Sequence, residues 1–462
     1  MNPTIPDAVS LPVKPSKIDP LLKPIYAFLA AESAGGVLLL LATVAALAWA
    51  NSPWGHTYHD FWYQKLTLTL GSLSHAMSLE HWVNDGLMVI FFLLVGLEIK
   101  REIVIGELAS VRKAALPIVA AIGGMVVPAS IYAAFNIRGE GSPGWGVPMA
   151  TDIAFAVGVL ALVGKGIPAT VKIFLLAIAI VDDLGAVLVI ALFYTSDISM
   201  AALAAAGGFL FALALLNFWG VHRPLPYMLL GIGLWIATLF SGVHATIAGV
   251  LLAFTIPATR QAEEADYLKY MNKMLSRFGR DATNIPDKIT HDQSHALKAM
   301  EEASQAVQTP LARVEHALLT PVSFFIVPLF ALANAGVDVR HGAAEAAGSP
   351  ITWGIFLGLL LGKPIGVLGA SFIALKTGIA TLPAGGNLKQ IAGVGVLCGI
   401  GFTMSLFVAN LAFGKVDHLL TDAKIGILAA SLVSGIVGGL IIATAKSSPQ
   451  ALAADRAENE SH

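Results

Sequence analysis

Charge is scarce in this sequence. Asp, Glu, Lys and Arg make up 13% of its 462 residues, about half the share found in water-soluble domains. The charges that remain balance to a formal −2, which offers no attraction to nucleic acid. There is one cysteine, Cys398, so no disulfide can close within the chain and the redox compartment stays open. Residues 1–24 have no apolar core, so no cleavable signal peptide is expected there, and the first apolar segment would act as an uncleaved anchor. What the chain has in quantity is apolar surface: 56% hydrophobic residues and a mean hydropathy of +0.75. Over most of its length its solvent is expected to be lipid.

A helix needs roughly 20 largely apolar residues to cross about 30 Å of hydrocarbon. Stretches of this kind lie near residues 33–51, 82–101, 114–136, 144–164, 170–194, 199–219, 224–240, 242–257, 316–337, 351–375, 390–413 and 424–445, about twelve transmembrane helices. The seventh and eighth almost touch, with only Ser241 and Gly242 to turn on. Basic residues set the orientation of such a chain. With both termini in the cytoplasm, only Lys65, Arg138, Arg340, Lys415 and Lys424 fall outside, and Lys363 falls within a span; the remaining Lys and Arg fall inside. The expected organisation is a cytoplasmic tail at 1–30, eight spans within 31–257, a charged cytoplasmic insert at 258–315, four spans within 316–445 and a second tail at 446–462. The expected location is a bacterial inner membrane.

Two connections stand apart. Residues 52–81 are too polar to cross, and Lys65–Leu70 alternates apolar and polar residues with strand periodicity. Gly71 and Ser72 would turn it into a small external β-hairpin. It reads either as a loop lying on the membrane or as a strand edge joining two copies of the chain. Residues 258–315 place Tyr267, Met271, Met274 and Phe278 at helical spacing, which fits a solvated appendage better than a catalytic domain.

An ionisable group at mid-membrane costs at least about 2.5 kcal/mol, so it persists where it meets a cavity or a partner. Asp182 and Asp183 stand side by side near the centre of the fifth span. Neighbours on a helix point about 100° apart, so one can face a water-filled path while the other faces a packed partner. A low dielectric and a like neighbour both favour the protonated carboxylate. Such a group can trade its proton for a hard cation near neutral pH. The plainer reading is a charge-paired helix anchor. Asp152 follows Thr151 in the fourth span, which Gly144, Gly146 and Pro148 interrupt; it suits helix capping, an electrostatic role, or both. Lys363 lies midway along the tenth span before Pro364. Asp152, Asp182 and Asp183 are its candidate partners, and a structural ion pair and direct proton carriage both stand as readings. Glu98, Lys100, Arg101 and Glu102 read as an interfacial network, and His244 reads as structural rather than as a proton sensor.

The eleventh span carries Gly393, Gly395, Gly399 and Gly401 through its middle. Non-helical backbone at that depth is tolerated only against protein or a cavity. The fourth and eleventh spans hold corresponding places in two triplets that enter from opposite faces, which predicts two inverted three-helix repeats around a midplane site. There Asp152 would face helix N-termini and Lys363 helix C-termini.

The motifs resemble those of the NhaA sodium/proton antiporters, from about Ala31 to Thr444 outside the insert. They include Asn84-Asp85-Gly86-Leu87, Gly96-Leu97-Glu98-Ile99-Lys100-Arg101-Glu102, Ala150-Thr151-Asp152-Ile153-Ala154-Phe155, Val181-Asp182-Asp183-Leu184-Gly185-Ala186, Ser241-Gly242-Val243-His244, the run from Pro328 to Gly336, Gly362-Lys363-Pro364 and Cys398-Gly399-Ile400-Gly401-Phe402-Thr403. The resemblance implies an all-α polytopic membrane protein that exchanges sodium, or lithium, for protons electrogenically and without a cofactor. It implies that Asp183 is the principal sodium ligand and proton carrier, that Asp182 beside it pairs with Lys363, and that Thr151 and Asp152 form the polar pair where broken helices cross. Glu98, Arg101, Glu102, Glu315 and His316, with His244, would respond to pH, and residues 52–81 would join two protomers. The chain departs from the family where Leu319-Thr320-Pro321 replaces a common His-Pro-Trp, and in the length of the insert. Both departures bear on the pH set-point.

Rival readings are a sodium-coupled symporter that binds an organic anion at Lys363, and an intramembrane aspartyl protease built on two acids. The Gly-x-Gly-Asp pattern of such proteases is missing here. A passive channel would want a ring of selectivity residues, and none is evident.

Overall fold

The computed structural model describes residues 34–70, 73–164, 166–195, 198–280, 289–383 and 385–445. Both expected tails, with all the basic residues assigned to them, and the Gly71-Ser72 turn lie outside the described residues.

Helix α1 (Ala34–Ala50) bends by 114° into the short α2 (Gly55–Trp62). The strand expected from alternation forms as β1 (Lys65–Leu70). It pairs antiparallel with β2 (Leu73–Ser78), from Lys65 opposite Ser78 to Leu70 opposite Leu73. Ser78 Oγ then accepts from the His81 backbone N–H and starts the next helical run. That run passes through a widened π turn at Trp82–Leu87 into α3 (Met88–Val104). There follow α4 (Val111–Asn136), a 3₁₀ run at Ser142–Met149 leading to α5 (Ile153–Val163), α6 (Ala169–Phe193), α7 (Met200–Phe218), α8 (Pro224–Leu239) and α9 (Ile247–Thr255).

The insert folds as two helices, α10 (Glu264–Arg280) and α11 (His291–Val307), packed on each other. Tyr267, Met271, Met274 and Phe278 are the less exposed positions of α10, as their spacing predicted. The Tyr267 hydroxyl meets Ser304 Oγ at 3.3 Å, and Gln293 donates to the Phe278 carbonyl. Helix α12 (Pro310–Pro321) begins five residues before Glu315, with Thr309 capping it, so the helix reaches further back than the expected span at 316. A π turn at Val322–Ile326 joins it to α13 (Val327–Asn334). Then come α14 (Val339–Ala346), α15 (Pro350–Leu357), a third π turn at Gly358–Gly362, α16 (Lys363–Lys376), α17 (Leu388–Leu397), α18 (Phe402–Phe413) and α19 (Asp417–Thr444).

Among the described residues seven helices are long and apolar enough to cross a membrane, or nine when two bent pairs are each taken as one. Every expected span contains helix, but the eighth differs in kind. Residues 241–246 turn without forming a helix, Gly242 at φ +83°, and α9 has only 9 residues. At 1.5 Å per residue it falls well short of the hydrocarbon thickness. Lys424, counted above with the external loops, lies inside α19 and is buried. Its electrostatic neighbours are Glu80 and Asp417.

Two of the π turns have a local cause. Proline lacks an N–H and its ring clashes with the carbonyl four residues back. The turns at Val322–Ile326 and Gly358–Gly362 lie just ahead of Pro328 and Pro364 and widen the helix where that clash would fall. The second delivers Lys363 directly. Glycine then brings this helix onto α4: a Cβ on Gly366 would lie 2.1 Å from the Gly123 carbonyl oxygen, and a Cβ on Gly123 would lie 2.3 Å from that of Gly366. The two backbones touch, as small residues permit in membranes. Gly366→Val is expected to cost about 1–3 kcal/mol through overpacking. A thermal midpoint equal to that of the unaltered protein would contradict this close approach.

Candidate functional site

Two broken helical segments cross at the centre of the fold. In the fourth span the 3₁₀ run ends at Met149, and residues 150–152 are extended before α5 begins. In the eleventh, α17 ends at Leu397 and α18 restarts at Phe402 with a bend of 41°. The glycines there admit neighbours that a side chain would exclude: a Cβ on Gly401 would lie 2.1 Å from Ser405 Oγ and 3.1 Å from the Ala150 carbonyl oxygen. Pro148 lies in the 3₁₀ run, and the interruption itself falls at residues 150–152. Extended residues there free the Asp152 N–H to donate to the Ile400 carbonyl at 2.7 Å, which ties one break to the other.

Asp152 is 1% exposed and serves both helices. Its Oδ1 accepts from the Phe155 N–H and so caps α5. Its Oδ2 accepts from the Thr403 N–H at 3.0 Å and from the Thr403 hydroxyl at 2.5 Å, in the first turn of α18. A single carboxylate thus faces the positive ends of two helices. The capping role and the electrostatic role coincide.

Asp182 and Asp183 lie on α6 beneath this crossing, both fully buried. Lys363, 0% exposed, chooses Asp182: Nζ lies 2.5 Å from Oδ2. The same oxygen accepts from the Thr151 hydroxyl at 2.7 Å. Thr151 Oγ1 is also 2.9 Å from the Cys398 carbonyl oxygen, so its hydroxyl stands between α6 and the break in the eleventh span. Asp182 Oδ1 and both oxygens of Asp183 have no hydrogen-bond partner among the described residues. Buried polar groups are nearly always paired, and a carboxylate without a partner is costly. A proton or a hard cation would supply what these oxygens lack.

The profile of the family described as Na+/H+ antiporter 1 matches residues 26–442. The chain belongs to that family. A protein of Oleidesulfovibrio alaskensis named Na(+)/H(+) antiporter NhaA is 50% identical over 429 residues, covering 93% of this chain and 95% of its own length. Relatives of the same name from Syntrophobacter fumaroxidans and Koribacter versatilis are 49% and 47% identical, covering 90% and 92% of this chain and 89% and 92% of their own. Members of the Na+/H+ antiporter 1 family are transporters and not enzymes, and this one is a multi-pass membrane protein.

Of the other residues singled out in this family member, Arg101, Glu102 and Glu315 come together. Arg101 Nη1 donates to Glu315 Oε1, and Nη2 lies 3.2 Å from Glu102 Oε1. Glu98 lies within electrostatic reach of all three and of Asp183, and His316 is within reach of Glu315. His244 is not brought to this cluster. The turn at residues 241–246 places it against the Tyr194 carbonyl, 2.6 Å from Nε2, with Asp85 as its charged neighbour. Sequence reasoning did not foresee Thr403 as the partner of Asp152. The available signal was a hydroxyl just past the break glycines, where a helix restarts. Nor did it foresee the amides of Asn84, Asn334 and Asn410, which meet in one cluster; lone asparagines carry no periodic signal.

Proposed function

We propose that this chain exchanges sodium for protons across the membrane at the Asp182–Asp183 pair. The observation that carries the assignment of residues is the set of three buried carboxylate oxygens without partners among the described residues, beside a fourth that holds a lysine. Asp183 binds cation or proton. Asp182 shares the work while tethered to Lys363, and Thr151 adds a hydroxyl at the same place. Oxygen donors of this kind suit a hard monovalent cation, and lithium, with the same charge and preference, is expected as a second cargo. Protons leave on one side, the cation takes the freed carboxylates, and the broken-helix bundle rocks to the other side. No cofactor is called for.

The symporter reading finds no support: its anion site, the Lys363 ammonium, is already held by Asp182, and the relatives are named as antiporters. The family assignment equally leaves no place for the protease.

Finer features belong to the same reading. The excess of basic residues on one side supports an inner-membrane protein with both termini cytoplasmic. The paired broken segments support two inverted three-helix repeats, within spanning regions at residues 31–257 and 316–445 that flank a cytoplasmic insert at 258–315. The Glu98, Arg101, Glu102, Glu315 and His316 group supports pH-responsive exchange. The β1–β2 hairpin supports a homodimer joined through its free edge.

Competition sets the pH dependence. Each proton that competes with the cation raises the apparent KM for sodium about tenfold per pH unit on the acid side of the site's titration. Sodium-induced proton release from everted vesicles, followed with a pH-gradient dye from about pH 6 to 9, is therefore expected to grow with pH at fixed sodium. The acid limb is expected to be recovered by raising sodium. A flat profile, or an acid limb that sodium cannot rescue, contradicts competition.

A further inference from the structure

The amide cluster sits at the end of the molecule that carries the hairpin. Asn334 closes α13, and two residues further on the Gly336 N–H donates to the hydroxyl of Tyr58 in α2. Asn84 lies in the π turn that begins the run into α3, while Arg101 lies at that helix's far end, about 25 Å away at 1.5 Å per residue. The cluster therefore marks the outer side, and the Arg101–Glu315 cluster the inner one.

Asn334 is fully buried, and its bonding capacity is filled. Its Nδ2 donates to Asn84 Oδ1 at 2.9 Å and to the Phe330 carbonyl at 2.9 Å. Its Oδ1 accepts from Asn84 Nδ2 at 3.2 Å and from Asn410 Nδ2 at 2.7 Å. An amide has two donors and two acceptor sites, so nothing is left over. Asn84 and Asn334 belong to the layer formed with α1, α3 and α13. Asn410 belongs to α18, the helix whose first turn is held by Asp152. One turn below Asn410, Phe407 packs against Phe92 of α3 and Phe330 of α13, ring centroids 5.2 Å and 6.2 Å apart. The seam between the ion-holding bundle and the facing layer is thus aromatic below and amide above. Another polar contact at this end, His244 with the Tyr194 carbonyl, joins the start of the α6–α7 connection, where the chain itself limits separation.

We propose that the Asn410 amide is the outer latch of the exchange cycle: its bond to Asn334 holds α18 against the facing layer, and it breaks each time the site opens outward. The asymmetry of the bonds suits a reusable latch. If Asn410 withdraws, Asn334 Oδ1 still accepts from Asn84, so no buried carbonyl is orphaned. The pair of reciprocal hydrogen bonds between Asn84 and Asn334 stays within its own layer. Amide hydrogen bonds between membrane helices are weak enough to break in every turnover, and losing one shifts an equilibrium by about three- to tenfold.

The proposal rests on the exchange reading above, and the single cysteine provides a test of its own. Cys398 lies buried at the break of the eleventh span, so its modification by a membrane-impermeant, charged methanethiosulfonate reports which side the site opens to. Right-side-out and everted vesicles carrying the full chain are labelled in sodium-free buffer. Asn410→Ala is expected to raise labelling from outside three- to tenfold, with no rise from inside, and Asn410→Gln is expected to recover part of the difference. An Asn410→Ala protein that still exchanges yet labels from outside at the unaltered rate overturns the latch; so does an equal rise from both faces. A second arm compares one protein before and after crosslinking, so any weakening by its substitutions is common to both states. Asn334→Cys with Asn410→Cys, in a Cys398→Ser background, is expected to lose exchange on oxidative crosslinking and regain it with reductant. Continued exchange by the crosslinked protein overturns the proposal. If the unaltered protein shows no sodium/proton exchange in the same vesicles, the exchange reading fails, while labelling sidedness still reads the seam.

Discussion

Asp183→Asn is expected to abolish sodium/proton exchange while leaving the protein folded and in the membrane. The side chain keeps its volume and loses only its charge and its proton. Neither Asp183 oxygen has a partner among the described residues, so the substitution breaks no hydrogen bond seen there. The Asp182–Lys363 ion pair and the Asp152–Thr403 brace do not involve it. Replacing a fully buried carboxylate by a neutral amide removes a desolvation cost. The thermal midpoint in detergent should therefore hold or rise even as transport disappears, the usual sign of a residue kept for activity at the expense of stability. A response to sodium near the unaltered level would refute the assignment. A lowered midpoint with lost transport would instead mean that Asp183 is structural.

Lys363→Met carries the opposite expectation, a large loss of stability. Methionine fills much of the lysine's volume but leaves Asp182 Oδ2 with only the Thr151 hydroxyl and a buried charge with no counter-ion. Breaking a buried pair from one side typically costs about 3–5 kcal/mol, most of it the stranded charge. Adding Asp182→Asn to Lys363→Met removes that charge and is expected to restore most of the midpoint. This recovery separates a stranded carboxylate from a packing defect at the π turn. Equal midpoints for Lys363→Met and the unaltered protein would mean that the pair contributes nothing to the fold, leaving Lys363 to ion handling alone.

Depth and isolation made the candidate site legible in one dimension. Two adjacent acids in the middle of a run such as Ala179-Ile180-Val181-Asp182-Asp183-Leu184 are conspicuous because lipid penalises them. Glycines and a proline inside the fourth and eleventh spans mark backbone free to leave the helix, which it does at residues 150–152 and 398–401, while Gly393 and Gly395 stay within α17. Alternation from Lys65 to Leu70 predicted a strand in an otherwise helical chain. The sequence also narrowed the partner of Lys363 to three acids and went no further by its own chemistry. Asp152, Asp182 and Asp183 sit at comparable depth, and periodicity gives no distances between helices.

Tertiary structure decided among them because each carboxylate meets a different neighbour. Asp152 is taken up by two helix N-termini, Asp182 by a lysine that a π turn delivers from α16, and Asp183 by no partner among the described residues. It also showed that the eighth apolar stretch is a turn and a 9-residue helix, since hydropathy registers apolar residues whether or not their backbone is helical. Only the fold brought Asn84, Asn334 and Asn410 together, across 250 and 76 residues of chain. By itself the sequence determined the solvent, the helices, their breaks and the charges that do not belong in lipid, because each is a property of a short stretch. Which of those charges are paired, and which one is left for an ion, depended on helices distant in the chain packing backbone to backbone.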